Sequence, residues 1–179
     1  MKRKLLILLM SVFFVVAVIF RVAVTKDKGA GNGKQASVEW LKFEEGLEKS
    51  KAQKQLLVVD FYTNWCHWCK VMDKETYGNP DVIEFSKDKI AYAKINAESS
   101  DKVKFQNATY SGREMAMMFG VQGYPSTSFM NEKGELITTV SGYIKPDQFI
   151  NILKFISGKH YETLSFEDFL KQQGSKNEG

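Results

Sequence analysis

Both cysteines of this 179-residue chain lie in one short stretch, Trp65-Cys66-His67-Trp68-Cys69-Lys70. Two thiols separated by two residues can close a small ring reversibly, and the chain has no third cysteine with which either could form a structural bridge. The apolar run from Leu56 to Tyr62 predicts a buried strand, and a helix is predicted to begin at about Cys66. A strand that delivers a cysteine pair to the start of a helix is the setting in which such a pair carries out redox chemistry.

Other uses of the two cysteines fit the sequence less well. A structural disulfide between them would close only a tiny loop and add little stability. A tetrahedral zinc site needs more ligands, and the two histidines, His67 and His160, lie in different segments. Attachment of a c-type haem requires a histidine where Lys70 stands. We therefore expect neither a metal nor a cofactor.

The charge distribution argues against nucleic acid as a partner. The chain has 25 Lys and Arg residues against 21 Asp and Glu residues, a formal net charge of +4. Four basic residues lie in or beside the apolar N-terminal segment: Lys2, Arg3, Lys4 and Arg21. The rest of the chain has as many acidic as basic residues, so no basic patch is predicted.

Residues 1–24 have the pattern of a membrane-targeting segment. The basic Lys2-Arg3-Lys4 precedes a long apolar run, Leu5 to Phe20. With Val22-Ala23-Val24 the run reaches about 20 residues, enough for a hydrophobic helix to span a bilayer. We favour an uncleaved signal anchor over a cleaved signal peptide, because no small-x-small cleavage site follows the run. The basic end stays in the cytoplasm, so the rest of the chain is expected outside it, in the periplasm or an equivalent compartment, tethered to the inner membrane by residues 5–24.

Composition divides the remainder into three parts. Residues 25–37 are rich in Gly and Lys and predict a flexible linker. Residues 38–158 have the apolar patterning of one globular domain. Residues 159–179 form a C-terminal extension, whose tail from Gly174 is expected to be frayed.

Apolar periodicity, caps and turn residues predict the elements of the domain and its extension. The first half contains a helix with Trp40, Phe43 and Leu47, a strand over 56–62, a helix from Cys66 to Glu75, a short helix over 81–87 and a strand over 90–95. Residues 96–110 are polar and irregular and are interpreted as a loop or an insertion. The second half contains a helix opened by the capping box of Ser111 and Glu114, a hairpin of 126–130 and 136–141, a helix from Pro146 with Phe149, Ile152, Leu153 and Ile156 on its apolar face, and a last helix over 166–172. The methionines of the fourth helix, Met115, Met117 and Met118, are interpreted as core filling rather than as a binding surface.

This order of elements predicts an α/β fold with a mixed central sheet flanked by helices, and three segments resemble the thioredoxin superfamily. Val58-Val59-Asp60-Phe61 before Trp65-Cys66 resembles its active-site strand. Phe119 to Ser126 resembles the segment around its cis-proline, and Gly142 resembles the glycine after its last strand. The resemblance implies a thioredoxin fold over about residues 38–157.

Within the superfamily, the sequence after the motif is most similar to one group. Cys69-Lys70-Val71-Met72, followed by Thr76 and Asn79-Pro80-Asp81-Val82, resembles the C-terminal periplasmic domain of DsbD-type thiol:disulfide interchange reductases and related exported proteins. The His67-Trp68 pair departs from thioredoxin itself, which has Gly-Pro there.

The cysteines and one carboxylate are the candidate catalytic residues. Cys66 is predicted to be the nucleophile, because the unpaired N–H groups and positive dipole at a helix N-terminus lower a thiol pKa. Cys69 is then the resolving thiol. Asp60 lies in the apolar strand, where desolvation raises the pKa of a carboxylate, unless it sits at the strand end and reaches solvent. By resemblance to thioredoxins, Asp60 helps to move the proton of the buried cysteine.

The residues around the cysteines are expected to tune the reactivity of the pair or to bind the substrate. His67, Trp68 and Lys70 are candidates for tuning the pair, although His67 is equally well read as a solvated imidazole with little effect. Trp65 and Trp68 are predicted to form an apolar rim for a partner chain rather than to lie in the core. The resemblance implies a cis bond between Tyr124 and Pro125 and contact of both with substrate.

These features predict a protein-disulfide oxidoreductase, favoured as a reductase, that exchanges electrons with protein thiols and disulfides. With one hydrophobic segment it would need a membrane electron donor, or an acceptor if it oxidises. A disulfide-forming oxidase and a non-catalytic binding module of the same fold are the alternatives.

Overall fold

A computed structural model describes residues 37–176 of the chain. The predictions of a hydrophobic helix over residues 1–24 and of a linker up to residue 36 lie outside the described residues. Within the described part, no helix has the length and apolar character required to cross a membrane.

The described residues form seven strands, six α-helices and one short 3₁₀ helix. In chain order they are β1 (Trp40–Leu41), α1 (Phe43–Gln53), β2 (Leu56–Tyr62), α2 (His67–Glu75), α3 (Pro80–Ser86), β3 (Ile90–Asn96), β4 (Lys102–Phe105), β5 (Ala108–Ser111), α4 (Gly112–Met118), β6 (Ser126–Met130), β7 (Leu136–Ser141), α5 (Pro146–Ser157), the 3₁₀ helix (His160–Glu162) and α6 (Phe166–Lys176). The strand β2 and the hairpin β6–β7 are confirmed at their predicted bounds.

The central sheet is mixed and has the strand order β1-β3-β2-β6-β7. The first three of these strands are parallel, whereas β6 runs antiparallel to β2 and β7 antiparallel to β6. Strands β4 and β5 form a separate antiparallel pair. This is the predicted thioredoxin-like arrangement, in which β2 lies at the centre and aims its C-terminal end at the cysteine motif.

Helices cover both faces of the sheet, and alternation along β2 assigns its side chains to the two layers. Leu56 and Val58 pack into the layer built with α2, α3 and α5. Leu57, Val59 and Phe61 pack into the opposite layer, built with α1, α4 and the β4–β5 pair. Asp60 falls in register with Leu56 and Val58 and therefore faces the first layer.

Two predicted elements are wrong. Trp40 belongs to β1 rather than to the first helix, because it pairs in parallel with Tyr92 and packs edge-on against Tyr77 with ring centroids 4.7 Å apart. The helix begins only after its N-cap, Lys42. The segment predicted as an irregular loop contains the β4–β5 pair, and its buried Phe105 packs edge-on against Phe43 at 5.5 Å.

Two further predictions, on the methionines of α4 and on the end of α6, also need correction. Met115 is buried, but Met117 and Met118 are 65% and 45% exposed. Helix α4 is a short one, and its inner side is filled by Met115 and the following Phe119, four positions apart. The last helix continues to Lys176 rather than fraying at Gly174, and its buried Phe169 contacts Phe155 with a centroid separation of 5.3 Å.

The chain leaves the central sheet after β3, forms the β4–β5 pair and then returns to the end of β3 at Gly112. We call the segment between Asn96 and Gly112 the β4–β5 excursion. A Cβ at Gly112 would lie 2.1 Å from the carbonyl oxygen of Asn96. We predict that Gly112→Ala lowers the free energy of unfolding by about 3 kcal/mol, as overpacking against backbone does. Chemical denaturation followed by circular dichroism measures the effect.

Gly174→Ala is the matched control, because Gly174 is also helical and nothing lies within 4 Å of its added Cβ. We expect it to change stability by less than about 1 kcal/mol, in the stabilising direction. Equal effects of the two substitutions would contradict the close approach.

Candidate active site

The cysteine pair lies at the start of α2. Cys66 is its N-cap residue, and its sulfur accepts a hydrogen bond from the backbone N–H of Cys69 at 3.1 Å. The two sulfur atoms are joined in a disulfide, and each cysteine is only 4% exposed. When the bond is reduced, the same N–H and the helix dipole stabilise negative charge on Cys66 more than on Cys69.

Strand pairing places Asp60 between two polar side chains. Asp60 is opposite Lys94 on β3 and opposite Thr127 on β6. Residues opposite one another on paired strands point to the same face, so all three side chains enter the layer that α2 covers. Asp60 is buried, so the alternative of a strand-end aspartate that reaches solvent is wrong.

Lys94 joins Asp60 to the helix that carries the cysteines. Its ammonium lies 3.6 Å from Asp60 Oδ2 and also forms an ion pair with Asp73. Asp73 is four residues after Cys69 in α2, one helical turn farther along. The ammonium further lies over the Trp40 and Tyr62 rings, 4.4 and 5.2 Å from their centroids.

Burial raises the pKa of Asp60 from its ordinary 3.8 to about 7. The Lys94 cation opposes this rise, the Asp73 carboxylate adds to it, and a long hydrogen bond of 3.4 Å from the Tyr77 hydroxyl opposes it. Tyr77 is fully buried and its hydroxyl also bonds to the Thr127 hydroxyl at 3.0 Å. A carboxyl group with this pKa can take up or release a proton near neutral pH.

Two exposed indoles border the cysteines. Trp65 is 67% exposed, and its ring lies edge-on to Tyr124 at 6.2 Å. Trp68 is 55% exposed and lies 5.5 Å from the ring of Tyr143. The loop that contains Tyr124 therefore borders the motif on the Trp65 side.

The structure places the remaining predicted site residues at or near the motif. The Tyr124–Pro125 bond is cis, and the carbonyl oxygen of Pro125 accepts a hydrogen bond from the N–H of Gly142 at 2.8 Å. His67 is exposed, with its ring edge-on to that of Trp68 at 5.8 Å, and Lys70 is exposed as well.

Sequence reasoning missed several residues of the site: Asp73, Tyr77, Lys94, Glu75, Glu98 and Tyr143. One signal was available for Lys94, since it is the only charged residue in the apolar strand Ile90–Asn96. Among residues 37–176, no three His, Cys, Asp or Glu side chains are grouped so that they could hold a metal ion.

Asp60 should make the stability of the protein depend on pH. Its pKa is higher in the folded protein than in the unfolded chain, so the folded state holds the proton between about pH 4 and pH 7 and loses stability as the pH rises through this range. The difference between the folded and unfolded pKa values of Asp60 corresponds to a loss of unfolding free energy on the order of 4 kcal/mol. We predict that Asp60→Asn abolishes this loss. The unfolding free energy of the variant should therefore rise relative to that of the wild type from pH 4 to pH 8.

Urea unfolding of the oxidised proteins across this range measures the difference. A difference in unfolding free energy that stays constant with pH would show that Asp60 titrates normally.

Comparisons with known proteins agree with this geometry. The family described as "Thioredoxin-like domain" matches residues 43–157, more than half of the chain. A thiol:disulfide interchange protein DsbD of Pseudomonas fluorescens is 30% identical over 89 residues, which are 49% of this chain and 14% of that protein. The chain thus spans only about one seventh of the length of that relative.

Solved structures show the same fold. A thioredoxin-fold protein from Helicobacter pylori superposes with a TM-score of 0.59 at 23% identity, covering 68% of this chain and 81% of that one. A putative disulphide-isomerase from Bacteroides thetaiotaomicron superposes with a TM-score of 0.51 at 25% identity, covering 68% of this chain and 94% of that one. The chain belongs to the thioredoxin-like domain family and is a distant homologue of DsbD-type proteins.

Proposed function

We propose that the protein is a thiol–disulfide oxidoreductase that reduces disulfides of client proteins. The observation that carries the proposal is the Cys66–Cys69 disulfide at the start of a helix, next to a strand that holds a buried carboxyl group with a pKa of about 7. Similarity to thiol:disulfide interchange proteins supports the same chemistry.

The reaction consists of two thiol–disulfide exchanges. In the reduced protein, the Cys66 thiolate attacks one sulfur of the client disulfide, forms a mixed disulfide and releases the other client sulfur as a thiolate. Cys69 then loses its proton and attacks the Cys66 sulfur, which releases the second client thiolate and re-forms the Cys66–Cys69 bond. Two electrons and the Cys69 proton leave the pair, the second client thiolate takes its proton from water, and a dithiol donor restores the reduced pair.

Asp60 supplies a place for the proton that Cys69 must lose. Cys69 is buried, so its thiolate is not stabilised by water. An acceptor in the protein interior with a pKa of about 7 takes this proton without holding it too tightly. Lys94 and Asp73 connect the buried Asp60 with the protein surface, because the Asp73 side chain is partly exposed.

The carboxylates favour the reducing direction. A dithiol pair is a strong oxidant when its reduced thiolate form is stabilised. Lys94 pairs with both carboxylates, so the three side chains together carry a net charge of −1 when Asp60 is ionised, and this charge acts against thiolates in α2. The reduced pair is therefore a readier electron donor than one with only the helix N-terminus beside it.

The proposal places this chemistry outside the cytoplasm. It rests on the sequence of residues 1–24, whose basic end and apolar run fit a signal anchor in the inner membrane. Residues 25–37 would be the linker, 38–158 the catalytic domain and 159–179 its extension. A membrane protein that carries electrons across the bilayer would be the donor, and exported proteins with disulfides would be the clients.

Trapping tests the exchange mechanism. We predict that Cys69→Ala, expressed in the native host, accumulates stable mixed disulfides between Cys66 and client proteins, because the resolving thiol is missing. Non-reducing gels and mass spectrometry identify the clients. Cys66→Ala is the matched control and should trap far fewer. If neither variant traps a protein and the double variant retains biological activity, the domain is a binding module instead.

The reduction potential decides between reductase and oxidase. Equilibration of the Cys66–Cys69 pair with a dithiothreitol buffer should give a value close to that of thioredoxin, about −270 mV. A value near that of the oxidant DsbA, about −120 mV, would favour the disulfide-forming alternative.

A further inference from the structure

Trp65 is held in its exposed position by a carboxylate. Its indole N–H donates to both oxygens of Glu98, at 3.0 and 2.9 Å. Glu98 is fixed in turn, because its backbone N–H donates to Asn96 Oδ1 at 3.0 Å. The Asn96 amide donates to Asn64 Oδ1 at 3.3 Å, and Asn64 directly precedes Trp65. These hydrogen bonds therefore form a closed ring that links the loop before Cys66 to the end of β3.

Trp68 is supported through a second carboxylate. It packs against Tyr143, whose hydroxyl donates to Glu75 Oε2 at 2.7 Å. The neighbouring Thr76 hydroxyl donates to the carbonyl oxygen of Ile144 at 2.6 Å. Two adjacent bonds thus fasten the loop after β7 to the end of α2, the helix that carries Trp68. The Glu75 contact raises the pKa of Tyr143, which keeps this hydroxyl a donor.

These two arrangements have an energetic implication. Two largely exposed indoles leave apolar surface in water, which is unfavourable unless a partner covers it. A side chain that is ordered before binding does not lose that freedom when a partner docks. The hydrogen bonds that order Trp65 and Tyr143 leave both rings accessible, so their ordering lowers the entropic cost of binding a partner.

We propose that Glu98 and Glu75 are positioning residues that preset two aromatic walls at the redox pair, Trp65 with Tyr124 and Trp68 with Tyr143. The walls fit an extended client segment with apolar side chains beside its cysteine. This inference rests on the proposed function, since it names the kind of client that the site admits.

The client segment should be extended, because only a narrow, extended chain can bring its sulfur between the two walls to the buried Cys66. Cys66 and Cys69 are each 4% exposed, whereas the two indoles beside them are more than half exposed. A client sulfur must pass the walls to reach Cys66, so its flanking residues come into contact with the aromatic rings. Apolar flanking side chains gain most from this contact, because aromatic surface buried at an interface contributes strongly to affinity.

Reduction of insulin, with dithiothreitol as electron donor, tests the inference on the purified protein. We expect Glu98→Ala and Glu75→Ala each to raise the KM for insulin about fivefold with kcat unchanged, the effect of freeing one side chain. Glu98→Gln and Glu75→Gln keep an acceptor oxygen and should restore the wild-type KM. Glu84→Ala is the matched control, because Glu84 is an exposed carboxylate of α3 that pairs with Lys87 and touches neither wall.

Double variants separate positioning from a general loss of stability. Trp65→Phe removes the indole donor, so adding Glu98→Ala to it should raise KM no further. Tyr143→Phe should likewise cancel the effect of Glu75→Ala. The indole N–H resonance of Trp65 in a ¹⁵N spectrum should shift in Glu98→Ala and not in Glu98→Gln.

Three outcomes would count against the inference. It is overturned if Glu98→Ala and Glu75→Ala leave KM unchanged, or if their effects add to those of Trp65→Phe and Tyr143→Phe. If the wild-type protein fails to reduce insulin at all, the proposed function fails first and the inference fails with it.

Discussion

The pairing of β2 with β3 puts Asp60 beside Lys94 in an otherwise apolar layer, and most of the candidate site depends on that pair. The carboxyl group cannot reach water, so its proton affinity is set by the few groups that surround it. Lys94 reaches both Asp60 and Asp73, and it thereby connects the central strand to the helix that carries the cysteines. A one-residue slip of register would send Asp60 into the opposite layer and break this connection.

The Asp60–Lys94 pair also has a cost in stability. A buried carboxyl group beside a single cation is less favourable than an apolar side chain of similar size. Tyr77 and Thr127 satisfy part of its hydrogen-bonding capacity, and the Trp40 and Tyr62 rings shield the cation. These contacts reduce the cost of burial and leave Asp60 able to bind a proton, as the proposed exchange requires.

The sequence predicted the elements whose signals are local. The apolar run of β2, the capping box of Ser111 and Glu114, and the turn between β6 and β7 are each encoded within a few residues, and the structure contains all three. Trp40 was misassigned because its spacing to Phe43 fits a helix, whereas its pairing with Tyr92 depends on residues far along the chain. The partners of Asp60 and the carboxylates behind the aromatic walls share this difficulty, since only the register of the sheet and the path of the loops bring them together.

The tight return at Gly112 has a consequence for how such a domain can change over time. Because the backbone at this glycine meets Asn96, the excursion through β4 and β5 leaves the sheet and rejoins it at nearly the same point. Its length is thus decoupled from the geometry of the five-stranded sheet. The exposed turn at Gln106 therefore tolerates a change of length, and a reporter peptide inserted there should leave the five-stranded sheet unchanged.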